Sequence, residues 1–137
     1  MITKEEKMNS KLSLTNCTRE HWEFVRLLRI HEGVQGGFIE KQHITPEQQL
    51  KYMSLHEDCF RIALLDGKPV GYFGVIKNDI RICVHPDHQK KGVGKFLVNS
   101  CYKIWPNAFA KIKVNNESSK KLFESCGFKL QYLIYEK

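Results

Sequence analysis

His85-Pro86-Asp87-His88-Gln89-Lys90-Lys91-Gly92-Val93-Gly94-Lys95 joins two segments of different hydrophobic period. Before it, Ile80, Ile82 and Val84 alternate with Arg81, Cys83 and His85. That is the period of a strand, with the first three on one side of a sheet and the last three on the other. After it, Val93, Leu97, Cys101 and Ile104 recur on one helical face, and Pro106 closes the helix. The quoted stretch is therefore a strand-to-helix turn. The first N–H groups of such a helix have no intrahelical acceptor and point outward at the positive end of the helix dipole, which makes an anion site. Gly92 and Gly94 let the backbone approach a phosphate, and Lys90, Lys91 and Lys95 add positive charge. An ordinary connecting turn would have the same outline, because two glycines one residue apart are a weak signal.

Working outward, Leu12 and Leu14 suit a short first strand, and Thr18 is placed to cap a helix with Trp22, Val25 and Leu28 on one face. Gly33, Gly36 and Gly37 end it in a loop. Thr45-Pro46-Glu47-Gln48 opens a second helix that runs to about His56, with a capping threonine, a first-turn proline and a glutamine three residues on. Phe60 to Leu65 and Val70 to Ile76 read as strands joined by the hairpin signal Asp66-Gly67-Lys68-Pro69. A tight turn at Asn78-Asp79 leads into the strand before the quoted stretch. Beyond Pro106, Phe109 to Val114 reads as a strand, Asn116 caps a helix through Cys126, Gly127 stops it, and Phe128 to Tyr135 reads as a last strand. The order is β-α-α-β-β-β-α-β-α-β, a mixed α/β domain. A doubly wound dinucleotide fold would carry its glycines after the first strand, not the fourth.

Composition bounds the function. The 137 residues suit one domain, and 42% hydrophobic residues suffice for a core. No apolar run approaches the ~18 residues of a membrane span. MITKEEKMNS carries charges where a secretory signal needs an apolar stretch. Five cysteines, odd in number and never in CxxC spacing, argue against a disulfide framework and a zinc site. The expectation is a soluble cytoplasmic domain without a metal. The net charge of +7 is scattered, with no basic helix face or aromatic-rich strand, so a small polyanionic ligand is preferred to nucleic acid.

Gln89-Lys90-Lys91-Gly92-Val93-Gly94 is similar to the (Gln/Arg)-x-x-Gly-x-(Gly/Ala) signature of the GCN5-related N-acetyltransferases, the GNAT superfamily. Asn116-Glu117-Ser118-Ser119-Lys120-Lys121-Leu122-Phe123-Glu124-Ser125-Cys126-Gly127-Phe128 resembles that family's Asn-x-x-Ala-x-x-Leu-Tyr-x-x-x-Gly-Phe segment. The resemblance covers Phe60 to Phe128 and extends to the rest by element order. It implies a mostly antiparallel sheet splayed between its fourth and fifth strands, helices on both faces, and residues 1–137 as a single acetyltransferase domain. It also implies acetyl-CoA as cofactor and direct attack by an amine in a ternary complex. Ile82, Cys83 and Val84 would offer backbone groups to the pantetheine arm and thioester. Gln89 to Lys95, Val93 included, would wrap the pyrophosphate. Asn116 and Ser119 would contact the cofactor, and Phe123 would lie near the sulfur. Asn116 would serve equally as a helix cap, and Phe123 as core packing.

One departure matters. Phe123 stands where the family often has a tyrosine, whose hydroxyl is the usual candidate to protonate the leaving thiolate. Candidates for the base are Asp79, beside a turn, and His85, at the far end of the strand, with His43 or Glu47 of the amino-terminal half as alternatives. Arg29, Phe38 and the helix start at Thr45 are similar to the pattern of relatives acting on amino groups of nucleotide-linked sugars, or on protein amino termini. The acceptor expected first is a nucleotide-linked amino sugar, with Arg29, His43 and Glu47 at its site and Arg26, Arg29 or Lys41 on its phosphates. The alternatives are a peptide amino terminus or a non-catalytic CoA-binding module. Only ten residues follow Gly127, enough for one strand and no hairpin. That strand edge would be covered by a second copy or by a fused domain, or the last strand would be short, twisted and solvated.

Overall fold

The computed structural model describes residues 11–35, 38 and 43–137. Four strands, β1 (Leu12–Asn16), β2 (Phe60–Leu65), β3 (Lys68–Ile76) and β4 (Asp79–Val84), pair antiparallel in the order β1-β2-β3-β4. Both hairpin turns hold two residues at positive φ, Asp66 and Gly67 at 51° and 84° and Lys77 and Asn78 at 52° and 66°. Turns of that hand match the twist of the strands they join. Between β1 and β2 lie a 3-10 turn (Arg19–His21), α1 (Trp22–Ile30), α2 (Glu32–Gln35) and α3 (Pro46–His56). After β4 come α4 (Val93–Ile104) and α5 (Glu117–Ser125). This is a mixed α/β domain with helices on both faces of an antiparallel sheet.

The alternation along β4 sorts the two faces as expected. Ile80 joins Ala63, Val70, Phe73 and Val75 beneath Val93, Leu97, Val98 and Cys101 of α4 and Phe123 of α5. Cys83 joins Phe60, Ile62 and Tyr72 beneath Trp22, Val25 and Leu28 of α1 and Met53 of α3. Each fully buried large side chain contributes about 1.5–3 kcal/mol, so the two clusters clamp the sheet from both sides. Thr45 and Gln48 form the capping box of α3: the Thr45 hydroxyl accepts the Gln48 N–H at 3.2 Å, and the Gln48 side chain accepts the Thr45 N–H at 2.9 Å. Gln49, fully buried, donates to the Trp22 carbonyl at 2.8 Å and pins α3 to α1.

Several expectations change. The Thr18 hydroxyl caps no helix; it meets Glu20 and His21 at 3.1 and 3.3 Å while the 3-10 turn leads into α1. Gly33 lies inside the short α2, and Gly36, Gly37 and Lys41 fall outside the described residues. Ile104 is exposed, because the last helical residue has already turned off the core face. Phe109 to Val114 forms no continuous strand: one parallel bridge joins Phe109 to Asp79. Phe128 to Tyr135 forms no strand among the described residues, and its alternating side chains stand in solvent.

Candidate active site

The single bridge between β4 and the Phe109 segment creates the site. The Ile80 N–H donates to the Phe109 carbonyl at 2.9 Å, and the Phe109 N–H to the Asn78 carbonyl at 2.8 Å. Beyond that point no backbone bond joins the two segments among the described residues, so the sheet opens as a wedge along β4. The register decides which groups face it. His85 donates to the Val70 carbonyl, and Cys83 stands opposite Tyr72 two residues earlier. In an antiparallel ladder this makes Cys83 a hydrogen-bonded partner of Tyr72, whereas Ile82 and Val84 turn their N–H and C=O groups to the open side. The trio expected to offer backbone groups thus reduces to Ile82 and Val84.

At the mouth of the wedge lies the glycine turn. Gly92 is the N-cap of α4 at φ 84°, and Lys90 is also left-handed at 63°. The Phe96 N–H returns to the Gly92 carbonyl at 3.0 Å, leaving the N–H groups of Val93, Gly94 and Lys95 as the unpaired start of the helix. The first turn holds no acidic residue, and Lys90, Lys91, Lys95 and Gln89 are exposed. A Cβ on Gly92 would meet nothing within 4 Å, so this position is open to an incoming group. The donor set is entirely N–H and ammonium, which fits a pyrophosphate. The second glycine has a different reason: a Cβ on Gly94 would sit 3.1 Å from Leu122 Cδ2, so its smallness seats α5 against α4.

The second segment divides in the same way. Asn116 is the N-cap of α5, its side-chain oxygen accepting the Ser119 N–H at 3.1 Å, which leaves its amide NH₂ as the donor for a ligand. Ser119 is half-buried one helical turn before Phe123. Phe123 is 4% exposed, edge-to-face with Phe128 at 5.2 Å, and works as a core residue.

Neither candidate base stands ready. Asp79 lies at the closed end of the wedge, between Arg81 Nε at 3.6 Å and Lys111 Nζ at 3.8 Å. His85 accepts the Asp87 N–H on Nδ1 at 3.1 Å, so the neutral ring carries its proton on Nε2 and its one basic lone pair is in use. Its ring packs against His31 at 5.5 Å and His88 at 5.9 Å. His43 and Glu47 are exposed, away from β4 in sequence and at the entrance to α3.

On the α1/α3 face of β4 the chain assembles a wall that the sequence did not reveal. The Arg29 guanidinium sits 5.6 Å from the centre of the Tyr52 ring. Its charge also reaches Tyr72 and Cys83. Burial pushes the Cys83 thiol up to about 12, with Arg29 pulling the other way. Burial also holds the Tyr72 phenol well above its ordinary range. Tyr52, beside Arg29, and His31, beside His85, are candidate site residues that the sequence reading missed, while Tyr72 lies in the core beneath them; tyrosines at core-facing positions look like any other apolar residue. Arg26 is tied to Glu23 and to the Ile44 carbonyl, so its guanidinium is already engaged. A groove lined by Asn16, Cys17, Thr18, Glu57, Asp58 and Arg61 lies where β1 ends and β2 begins, and Arg61 there serves the Asp58 and Phe60 carbonyls. Among the described residues no cluster of His, Cys, Asp and Glu could hold a metal, and no helix is long and apolar enough to cross a membrane.

A sheet split beside β4, with an anion-binding helix start at the mouth of the split, is the architecture of an acyl-transferring class of enzymes. Residues 22–128 match the acetyltransferase (GNAT) family, and the chain belongs to it. It is accordingly an acetyl-CoA-dependent N-acetyltransferase. Among solved structures it is similar to a domain from Methanocaldococcus jannaschii (26% identity, TM-score 0.75, 88% of this chain and 90% of that one). It is similar in fold to spermidine N-acetyltransferase from Vibrio cholerae in complex with CoA and spermine (19%, 0.74, 91% and 85%). A phosphinothricin acetyltransferase from Sinorhizobium meliloti in complex with acetyl-CoA shares the fold too (18%, 0.75, 88% and 76%). No curated protein matches the chain.

Proposed function

We propose that residues 1–137 act as a single domain that acetylates the primary amine of a small, oxygen-rich, anionic molecule, with a nucleotide-linked amino sugar as the acceptor. The observation that carries this reading is the Arg29 guanidinium set 5.6 Å from the centre of the Tyr52 ring on the α1/α3 face. A guanidinium beside a tyrosine suits a ligand with phosphate or hydroxyl groups. It repels a polycation, as does the net charge of +7.

When bound, acetyl-CoA supplies a thioester whose carbonyl carbon takes the lone pair of the amine. The chain holds that cofactor through the N–H groups of Val93, Gly94 and Lys95, with Gln89, Lys90 and Lys91 around the pyrophosphate. Ile82 and Val84 present backbone groups to the pantetheine arm, and Asn116 offers its amide. Backbone N–H groups fixed beside a carbonyl polarise it, and a single such donor is worth ~10²–10³-fold in rate. Phe123 gives no proton to the departing thiolate. A free thiol has a pKa of about 8.5, so thiolate leaves tolerably without one. With Asp79 in ion pairs and His85 capping a turn, the amine needs to arrive largely deprotonated. Oxygens next to a sugar amine lower its basicity and meet that need. The test is a panel of UDP- and dTDP-linked amino sugars, peptides and polyamines, read by free thiol release and the mass gain of one acetyl group. Acetylation of the sugars is expected; turnover of peptides or polyamines alone overturns the reading.

A further inference from the structure

We propose that His85 is a positioning residue for acetyl transfer: as a neutral ring in contact with His31 and His88, it holds the turn that carries β4 into the coenzyme A loop, and acid releases that turn. The inference rests on Gln89 to Lys95 holding the cofactor, as proposed above. The His85 ring stands 5.5 Å from that of His31 and 5.9 Å from that of His88, edge-on to both. In all three rings Nδ1 sits where a proton is unwelcome. On His85 it accepts the Asp87 N–H at 3.1 Å and closes the 3-10 turn Pro86–His88. On His31, the C-cap of α1, it accepts the Gly33 N–H at 2.9 Å. On His88 it is buried with no hydrogen-bond partner among the described residues. The two corners meet closely: a Cβ on Gly33 would lie 2.8 Å from Pro86 Cγ. Gly92, the N-cap of α4, follows just beyond the turn.

An imidazole ordinarily takes its second proton near about pH 6.5. In His31 and His85 that proton goes to Nδ1, because the neutral rings already carry theirs on Nε2. The nitrogen then becomes a donor facing a backbone donor, and each turn loses a bond that favours it roughly 2- to 10-fold. Rings this close also repel one another once more than one is charged. The charged groups around them offset little of this. Asp87 Oδ2 is 3.8 Å from His85 Nδ1, yet that carboxylate is 82% exposed and screened by water. Glu32, next to His31, is exposed as well. Arg29, one turn before His31, keeps its guanidinium at the Tyr52 ring. Lys90 and Lys91, on the cofactor side, are cations that oppose a further positive charge.

The test is titration calorimetry of coenzyme A, with no acceptor present, against the 137-residue chain at about pH 8 and about pH 5.5, either side of the imidazole range. His85→Phe keeps a ring and loses the acceptor. His85→Asn keeps an acceptor for the N–H two residues on and cannot titrate. At the higher pH, His85→Phe should bind roughly 2- to 10-fold more weakly than the parent, and His85→Asn should recover most of that loss. On going to the lower pH, the parent should lose roughly 2- to 10-fold more affinity than His85→Asn. The titrating phosphates of coenzyme A are common to both and cancel. An imidazolium drawn to those phosphates would make the parent gain on His85→Asn in acid; that result overturns the proposal, as do parallel profiles or a His85→Phe that binds like the parent. The acid comparison needs only the parent and His85→Asn, so it decides even where thermal unfolding shows His85→Phe to be misfolded. Gly92→Asp separates the two readings. If it binds coenzyme A as the parent does, the loop does not hold the cofactor and both fall. If it loses binding while the parent and His85→Asn run parallel, the role of His85 alone falls.

Discussion

The β1–β4 meander and residues 109–137 carry the same kind of sequence and reach different ends. Strands β1 and β4 alternate apolar and polar residues as the later segment does, while β2 and β3 are near-continuous apolar runs, and both regions hold aromatic and β-branched side chains. In the meander every strand has a neighbour, and both faces are covered: Ile62, Phe60 and Phe73 are at most 1% exposed. In the later segment one bridge at Phe109 is all that remains of the ladder, and Ile134 is 73% exposed. Alternation sets which side chains share a face; it does not supply the partner. The wedge that gives this domain its chemistry comes from that difference, because a ladder continued past Phe109 would occupy the backbone groups of Ile82 and Val84.

The largest effect is expected in the buried core of the meander. Ile62→Ala removes buried atoms between β2 and the α1/α3 cluster, and should cost ~2–5 kcal/mol in urea unfolding. A cost under ~1 kcal/mol would mean that the meander is packed no better than the exposed segment.

Next in size is the helix start at the mouth of the wedge. Gly92→Asp puts a carboxylate among N–H groups that serve an anion, and should weaken CoA binding by ~2–3 kcal/mol, roughly 30- to 150-fold. Because Gly92 is at φ 84° with open space around its missing side chain, Gly92→Ala is the matched control. It carries the same backbone strain without the charge, so titration calorimetry should find it close to the parent. Lys90→Ala, at an exposed site, should cost only about 0.5–1 kcal/mol. Equal losses for the two Gly92 variants would assign the effect to strain and remove the anion role.

What the sequence made legible was local. The capping box at Thr45 and Gln48, the hairpin turns and the glycine-capped start of α4 each lie within a few residues, where side-chain and backbone chemistry settle the conformation. The wall of Arg29, Tyr52, Tyr72 and Cys83 draws on four elements and has no local signature. Gly94 illustrates the boundary: its spacing suggests room for a phosphate, whereas the space is filled by Leu122, more than twenty residues on. At Phe123, read from the sequence as cofactor contact or core, the structure shows the packing contact, with Phe128 as its ring partner.

A smaller effect separates the meander from the later segment by pH. Burial raises the Cys83 thiol from an ordinary value of about 9 to about 12. A group whose pKa is higher folded than unfolded stabilises the fold fully below the unfolded value, and that contribution fades as pH climbs toward the folded one. Stability should therefore fall above about pH 9, at up to ~1.4 kcal/mol per pH unit for this thiol. Cys17 and Cys101, raised to about 12 and about 11, add the same trend. Comparing Cys83→Ala with the parent isolates one thiol: between about pH 8 and pH 10 the variant should lose ~1 kcal/mol less. Parallel pH profiles would show that Cys83 ionises in the folded chain as readily as in the unfolded one.

The exposed counterpart of Ile62 is Ile134. Ile134→Ala deletes the same atoms as Ile62→Ala, from a residue 73% exposed rather than fully buried. In a dilute, monomeric sample nothing is uncovered and no cavity forms, so the change in unfolding free energy should stay within ~0.5 kcal/mol. The dilution is essential, since a second copy covering Ile134 would make the cost rise with concentration. A loss above ~1 kcal/mol at the lowest concentration would mean that Ile134 is packed within its own chain. The later segment would then be a second meander, and the contrast with β1–β4 would be gone.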